Sequence, residues 1–304
     1  LSRGLFRRAS PLLALALSAC GPLSFLDPYG QVAATQRHLF FVIILCMAVV
    51  VVPVFLLTPL FAWRYRRAAY RPASYRPNWD FSWTLEAFIW GVPVAVVAVL
   101  AWFEWSVEPR LDPYSSIRSA TPPLQIQAIG LDWKWLFIYP AQHIATVGEL
   151  ALPLDRPVHV SITSDTVMQS LFIPALAGQI YAMAGMVTQL NLIANRQGVI
   201  RGENTQYNGV GFQYQKFSVP ILKQADFQSW VATVRADAIK LDANSFKRLA
   251  ETGSPGQARA ELGTGKMPAT ALYYDLATPN LFNAVVDRFR TLSSAPRGAG
   301  DAVK

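Results

Sequence analysis

After Cys46 the chain has no cysteine and only two histidines, His143 and His159. A redox-active metal pair needs soft thiolates, with imidazole and thioether completing the shell. That set cannot be built here. Met168, Met183 and Met186 are further soft donors; with no thiolate or imidazole nearby they read as core packing. The other chemistry-bearing residues stand singly. Glu86 lies near the start of an apolar run, where an ionisable group is a functional candidate by default. The competing reading is an acid at a helix end that reaches water. Cys20 closes a short apolar stretch, and Cys46 sits inside a longer one as a small, inert hydrophobe. The run Asp132–Pro140 (DWKWLFIYP) carries Trp133, Trp135, Phe137 and Tyr139. A segment so aromatic must pack against something large, which makes these four candidates for a subunit interface.

The elements that hold these residues begin with an export signal. Arg3, Arg7 and Arg8 precede a short apolar stretch, Pro11 to Leu17, too short to span a bilayer. The stretch ends in Leu17-Ser18-Ala19-Cys20, which resembles a bacterial lipobox, so 1–19 is expected to be removed and Cys20 lipidated. Residues 20–37 then form an external N-terminal segment. Residues 38–106 form a transmembrane hairpin with spans at about 39–62 and 85–105; the first span has no charge and the second has Glu86 near its start. Between the spans lie Arg64, Arg66, Arg67, Arg71 and Arg76 against one acid, Asp80. The positive-inside rule puts this loop in the cytoplasm and both termini outside, the side on which lipidation occurs. The net charge of +8 is therefore a topology signal, and nucleic acid is not an expected partner. Charged residues are only 15% of the chain, which fits a lipid membrane as partner.

From Leu124 the apolar period becomes two. Leu124, Ile126 and Ala128 alternate with glutamines; Val158, Val160 and Ile162 alternate with polar residues, as do Thr188, Leu190, Leu192 and Ala194. Short alternating runs between turn residues predict an antiparallel sandwich over 115–222. A helical region follows over 223–292. Its first helix carries Phe227, Trp230, Val231 and Val234, with Asp226 as the expected N-cap. Its second carries Phe246 and Leu249, and its third opens at Thr278-Pro279 with Leu281, Val285 and Phe289. Thr252–Gly256 reads as a loop, and the composition of 293–304 predicts a disordered tail. The expected fold class is a membrane-anchored all-β protein: a two-helix hairpin, a Greek-key sandwich and a short C-terminal helical region.

The whole layout, with DWKWLFIYP (132–140), SDTVMQSLFIP (164–174), GQIYAMAGM (178–186) and YNGVGFQYQKF (207–217), resembles subunit II of the haem–copper oxidases, in its bacterial bo-type ubiquinol oxidase branch. The resemblance covers roughly 17–290 and implies a cupredoxin-like sandwich. In the cytochrome c oxidase branch that sandwich holds a binuclear copper centre. Here Gln169 stands at the position of its first His, Asn204 and Asn208 at its two Cys, Phe212 at its second His, Gln215 at its Met, and Gln206 at the Glu that lends a carbonyl. The resemblance thus implies no metal and no cofactor in this chain, with haems and copper in subunit I. It implies subunit I and other oxidase subunits as partners, ubiquinol reached through the complex, and no cytochrome c. It places the chain in the bacterial plasma membrane. It also places Glu86 at the mouth of a proton channel into subunit I. Gln215 departs from the quinol-oxidase pattern, where Met is expected. The alternative function is a lipoprotein scaffold built on a metal-free cupredoxin; co-purifying haem and oxidase subunits would distinguish the two.

Overall fold

The computed structural model describes residues 24–66, 80–263, 271–278 and 280–294. Residues 1–23, with Cys20 and its lipobox, lie outside the described residues, as do most of the loop arginines and Pro279. The described chain forms two compact units. One runs from Thr35 to Asp112; the other combines the N-terminal segment up to Ala34 with everything from Pro113 onward.

The first unit is helical. Helix α1 spans Gln31–Arg64 and passes through Pro53 and Pro59; α2 spans Trp83–Leu111. At 1.5 Å per residue each exceeds the roughly 30 Å hydrocarbon core, so each extends beyond its apolar run. Ala33, in the first turn of α1, is the only buried residue in either helix. Side chains such as Phe55, Phe88 and Trp90 are more than two-thirds exposed. Both helices are apolar on all sides and meet the length and composition of a membrane span.

The second unit is built on a seven-stranded sheet. Its strands are β1 (Leu124–Leu131), β2 (Lys134–Tyr139), β3 (Ile144–Val147), β5 (Val158–Ser164) and β8 (Thr188–Leu192), extended by β11 (Ile239–Lys240) and β12 (Leu272–Asp275). The spatial order is β11-β12-β3-β2-β1-β5-β8. A second sheet orders β4 (Leu152–Pro153), β10 (Lys216–Leu222) and β9 (Gly198–Glu203), and a third pairs β6 (Gln169–Leu171) with β7 (Ile180–Ala182). The alternation seen in the sequence is the inward face of these strands: Leu124, Ile126, Val158, Val160, Ile162, Leu190 and Leu192 are all buried. The sheets are mixed, not purely antiparallel, because β1 runs parallel to β5, β4 to β10 and β11 to β12.

The C-terminal region departs from the helical expectation. It supplies α3 (Gln224–Asp237), α4 (Ala243–Ala250), α5 (Pro255–Leu262) and α6 (Leu281–Ser294), but also β11 and β12, which complete the main sheet. β12 pairs with β3 from Leu272↔Val147 to Asp275↔Ile144, so the sandwich and this region share one core. Of the expected stripes, Phe227, Val231, Val234, Phe246, Leu249, Leu281 and Val285 are buried, while Trp230 and Phe289 are half-buried. Asp226 is not a cap, since α3 begins earlier and Lys223 takes the N-cap position. The expected loop Thr252–Gly256 contains the start of α5. Ser254 accepts from the Gln257 amide and Gln257 accepts from the Ser254 amide, a reciprocal capping box with Pro255 at the first turn. α6 continues to Ser294, two residues into the expected tail.

Candidate functional site

Most of the residues that the resemblance aligns with copper ligands come together at one end of the sandwich. Gln215, at the start of β10, is the hub. Its amide Nε2 donates to Gln169 Oε1 and points at the Leu131 and Lys134 carbonyls, each 3.4 Å away. Its Oε1 accepts from Asn204 Nδ2 at 2.9 Å and from Asn208 Nδ2 at 2.8 Å. Asn204 Nδ2 also donates to the Gln206 carbonyl, while its Oδ1 accepts from the Ser170 amide and hydroxyl and from the Gln206 amide. Gln169 Nε2 reaches Leu131 O at 3.2 Å and Thr166 Oγ1 at 3.1 Å. Gln169, Asn204 and Gln215 are fully buried or nearly so. Phe212 does not join them; it is half-buried and its ring lies 5.9 Å from that of Tyr207.

This is a set of carboxamides that satisfy one another and the nearby backbone. Carboxamides offer neither thiolate nor imidazole, and apart from the unpartnered Asn208 Oδ1 their polar atoms are committed to hydrogen bonds. The residues present do not fit a binuclear copper centre. His143 sits in the turn after β2, at the strand's far end from Lys134, and His159 Nδ1 pairs with Asn191 Oδ1 at 2.9 Å. The network instead ties β1, β2, β6, β9 and β10 together, which is the mechanical half of what a metal would do there.

The aromatic run begins with a turn, not a strand. Leu131 pairs with Lys134, leaving Asp132 and Trp133 as a two-residue hairpin loop. Trp133 adopts φ +66°, a left-handed conformation costly for a bulky residue. Its indole donates to the Asn208 carbonyl at 3.2 Å and lies against Gly211, where a Cβ would come within 1.9 Å of the ring. Glycine is required there by close approach.

Lys134, next in the run, is buried, and its Nζ donates to the carbonyls of Glu251 (2.7 Å), Gly253 (3.0 Å) and Asp132 (3.3 Å). Burial lowers its pKa to about 8, against the opposing pull of the Asp132, Glu261 and Glu251 carboxylates. The lysine thus fastens the α4–α5 connection to the hairpin. A second fastener joins α6 to the β5–β6 loop: Arg288 pairs with the buried Asp165. Burial raises the Asp165 carboxyl to about 6; Arg288 pulls it down and Asp132 pushes it up.

Trp135, Phe137 and Tyr139 are 0–1% exposed, which corrects their assignment as interface residues. β2 lies inside the seven-stranded sheet, and layers cover both its faces. Trp135 stacks near Phe137, Phe137 packs on Phe217, and Tyr139 packs on Phe227 and Trp230. Something large does cover the aromatic run, and it is this chain. Trp133 alone of the four is half-exposed. The outward apolar surface lies instead on three loops of the same end. Val167 and Met168 lie beside Gln169, Met186 follows β7, and Tyr207, Val210 and Tyr214 flank Asn208 and Gln215, with exposures from 43% to 85%. Met168 and Met186 are therefore surface residues, not core. Ordinary hydrophobic alternation gave no signal for these loop residues.

In the helical unit, Glu86 occupies the first turn of α2, where a carboxylate is favoured by the helix dipole. Its Oε2 accepts from Trp90 Nε1 at 3.1 Å, one turn onward, so the side chain lies along the helix.

Two membrane-length helices followed by a β-sheet domain fit the layout of subunit II of the haem–copper oxidases, the class to which similar known proteins assign the chain. The family model for the periplasmic domain of cytochrome c oxidase subunit II matches residues 141–225. Cytochrome bo(3) ubiquinol oxidase subunit 2 of Pseudomonas aeruginosa is 41% identical over 276 residues, 91% of this chain and 79% of that one. Ubiquinol oxidase subunit 2 of Acetobacter aceti is 38% identical over 293 residues, 96% and 90% of the two chains. Quinol oxidase subunit 2 of Bacillus subtilis is 36% identical, covering 81% of this chain and 79% of that one. The chain belongs to the quinol oxidase subunit 2 family.

Proposed function

We propose that the chain is the non-redox subunit II of a ubiquinol oxidase. The observation that carries this is the carboxamide cluster, which fills the metal position with groups that cannot pass electrons. Electrons then enter at subunit I from ubiquinol, the donor for which the Pseudomonas and Acetobacter relatives are named. This subunit keeps the shape of the domain and docks it. The docking surface is the exposed loop end around Val167, Met168, Tyr207 and Val210, with subunit I as its partner; apolar exposure on this scale marks an interaction site.

Glu86 is the proposed mouth of a proton path from the cytoplasm into subunit I. A carboxylate at a membrane boundary, held by the Trp90 indole, supports that role. In the purified oxidase, Glu86→Ala should slow turnover severalfold with haem content and quinol affinity unchanged, and Glu86→Asp should keep part of the rate. The loss stays below the roughly hundredfold of a sole acid–base group, because water can bypass a channel mouth. Wild-type turnover in Glu86→Ala would make the residue a simple interfacial acid.

The proposed topology has the basic loop in the cytoplasm and Cys20 lipidated on the outer face, by the positive-inside rule and the lipobox. Intact mass of the native chain should show a diacylglyceryl-modified Cys20 at its start; a native chain that retains 1–19 would refute the lipid anchor.

A further inference from the structure

A groove of about 970 Å³ crosses the outer face of the β9–β10 pair. Tyr29 and Asp27 of the N-terminal segment border it near β9, and Ser254–Gly256 border it near β10. Across its floor stand Val199, 70% exposed, and the exposed cations Arg201 and Lys216. Asp27 is the one carboxylate among its lining residues, and it is committed to a two-pronged pair with Arg196 at 2.5 and 2.7 Å. Arg196 in turn lies 3.6 Å from the Tyr29 ring centre, so this corner is a closed unit. Arg201 and Lys216 form no ion pair among the described residues, although Glu203 stands opposite Lys216 in the strand register. The groove is therefore cationic on balance.

Its edge is open as well. β9 is the last strand of its sheet, and among the described residues its only bridge beyond β10 is the single contact of Glu203 with Phe172. A sheet edge carrying an exposed valine such as Val199 is normally covered. Finally, Tyr214 belongs both to the groove and to the exposed loop end, so the two surfaces are continuous.

We infer that the groove receives an extended, acidic segment of another subunit of the same oxidase, laid along β9 with its carboxylates against Arg201 and Lys216. The inference rests on the docking reading of the loop end, which it extends. Main-chain pairing at an open edge supplies affinity, and the two cations supply register and selectivity.

The test places a photo-crosslinking phenylalanine analogue at Val199, in the groove, or at Val210, on the loop end, in the complete oxidase. The Val199 position should give a covalent product with a sister subunit, mapping to an acidic peptide. Adding Arg201→Glu and Lys216→Glu should reduce that product by about tenfold or more, since like charges across an interface are strongly disfavoured, while the Val210 product persists. A Val210 product with none at Val199 would overturn the groove and leave the loop-end reading intact. So would a Val199 product with phospholipid or with a second copy of this chain. A Val199 product with none at Val210 would overturn the loop-end reading alone, and absence of both would overturn both.

Discussion

Replacing Gln215 by leucine should destabilise the sheet-bearing unit by about 3–4 kcal/mol. The substitution conserves approximate size but removes the hub of the cluster. Asn208 Nδ2, Gln169 Oε1 and the Lys134 carbonyl each lose their Gln215 partner. A buried polar group left without a partner costs about 1–3 kcal/mol. Asn204 is partly protected, because its Nδ2 keeps the Gln206 carbonyl. Gln215→Met, the residue expected from the family pattern, should cost less than leucine, since a thioether is still a weak acceptor. Urea unfolding followed by tryptophan fluorescence measures both. Two variants as stable as the wild type would mean that the carboxamides merely fill space.

The second large effect is at Lys134. Lys134→Met should cost about 2–3 kcal/mol, because the carbonyls of Glu251 and Gly253 lose a charged donor. The loss should be seen first as early proteolysis in the α4–α5 connection, the segment that the lysine fastens. The pH dependence has a definite sign. The folded pKa is lowered, from 10.5 to about 8. Below pH 8 both states carry the proton, and the full desolvation cost is present. Between about 8 and 10.5 the unfolded chain holds the proton that the folded chain has released, so wild-type stability gains with rising pH. The methionine variant should lack that gain. Unfolding curves at pH 7 and pH 10 for the two proteins check it; parallel shifts in both would show that another group is responsible.

Much of this was legible in the residues themselves. The alternation from Leu124 and the two apolar runs carry through to buried strand faces and to two membrane-length helices. What the sequence hid were contacts made across long separations. Trp135, Phe137 and Tyr139 looked like interface residues because their cover comes from β10 and α3, about eighty to ninety residues onward, through Phe217, Phe227 and Trp230. The burial of Lys134 had no sequence signal, since nothing local shows that the Glu251 and Gly253 carbonyls surround it. One miss was readable: Ser254-Pro255 followed by Gln257 is a capping box with proline in the first turn, and it announces α5. The glycine and proline in the same stretch gave a loop signal that masked it.

The central claim is that this subunit carries no electron-transfer metal. Its most direct test uses the sheet-bearing part of the chain from Pro113 to Ser294, refolded in the presence of copper. The carboxamide cluster predicts copper well below one ion per chain after dialysis, no visible absorption, and unfolding unchanged by added copper. Two copper ions bound per chain, with the purple absorption of a mixed-valence thiolate-type pair, would contradict it.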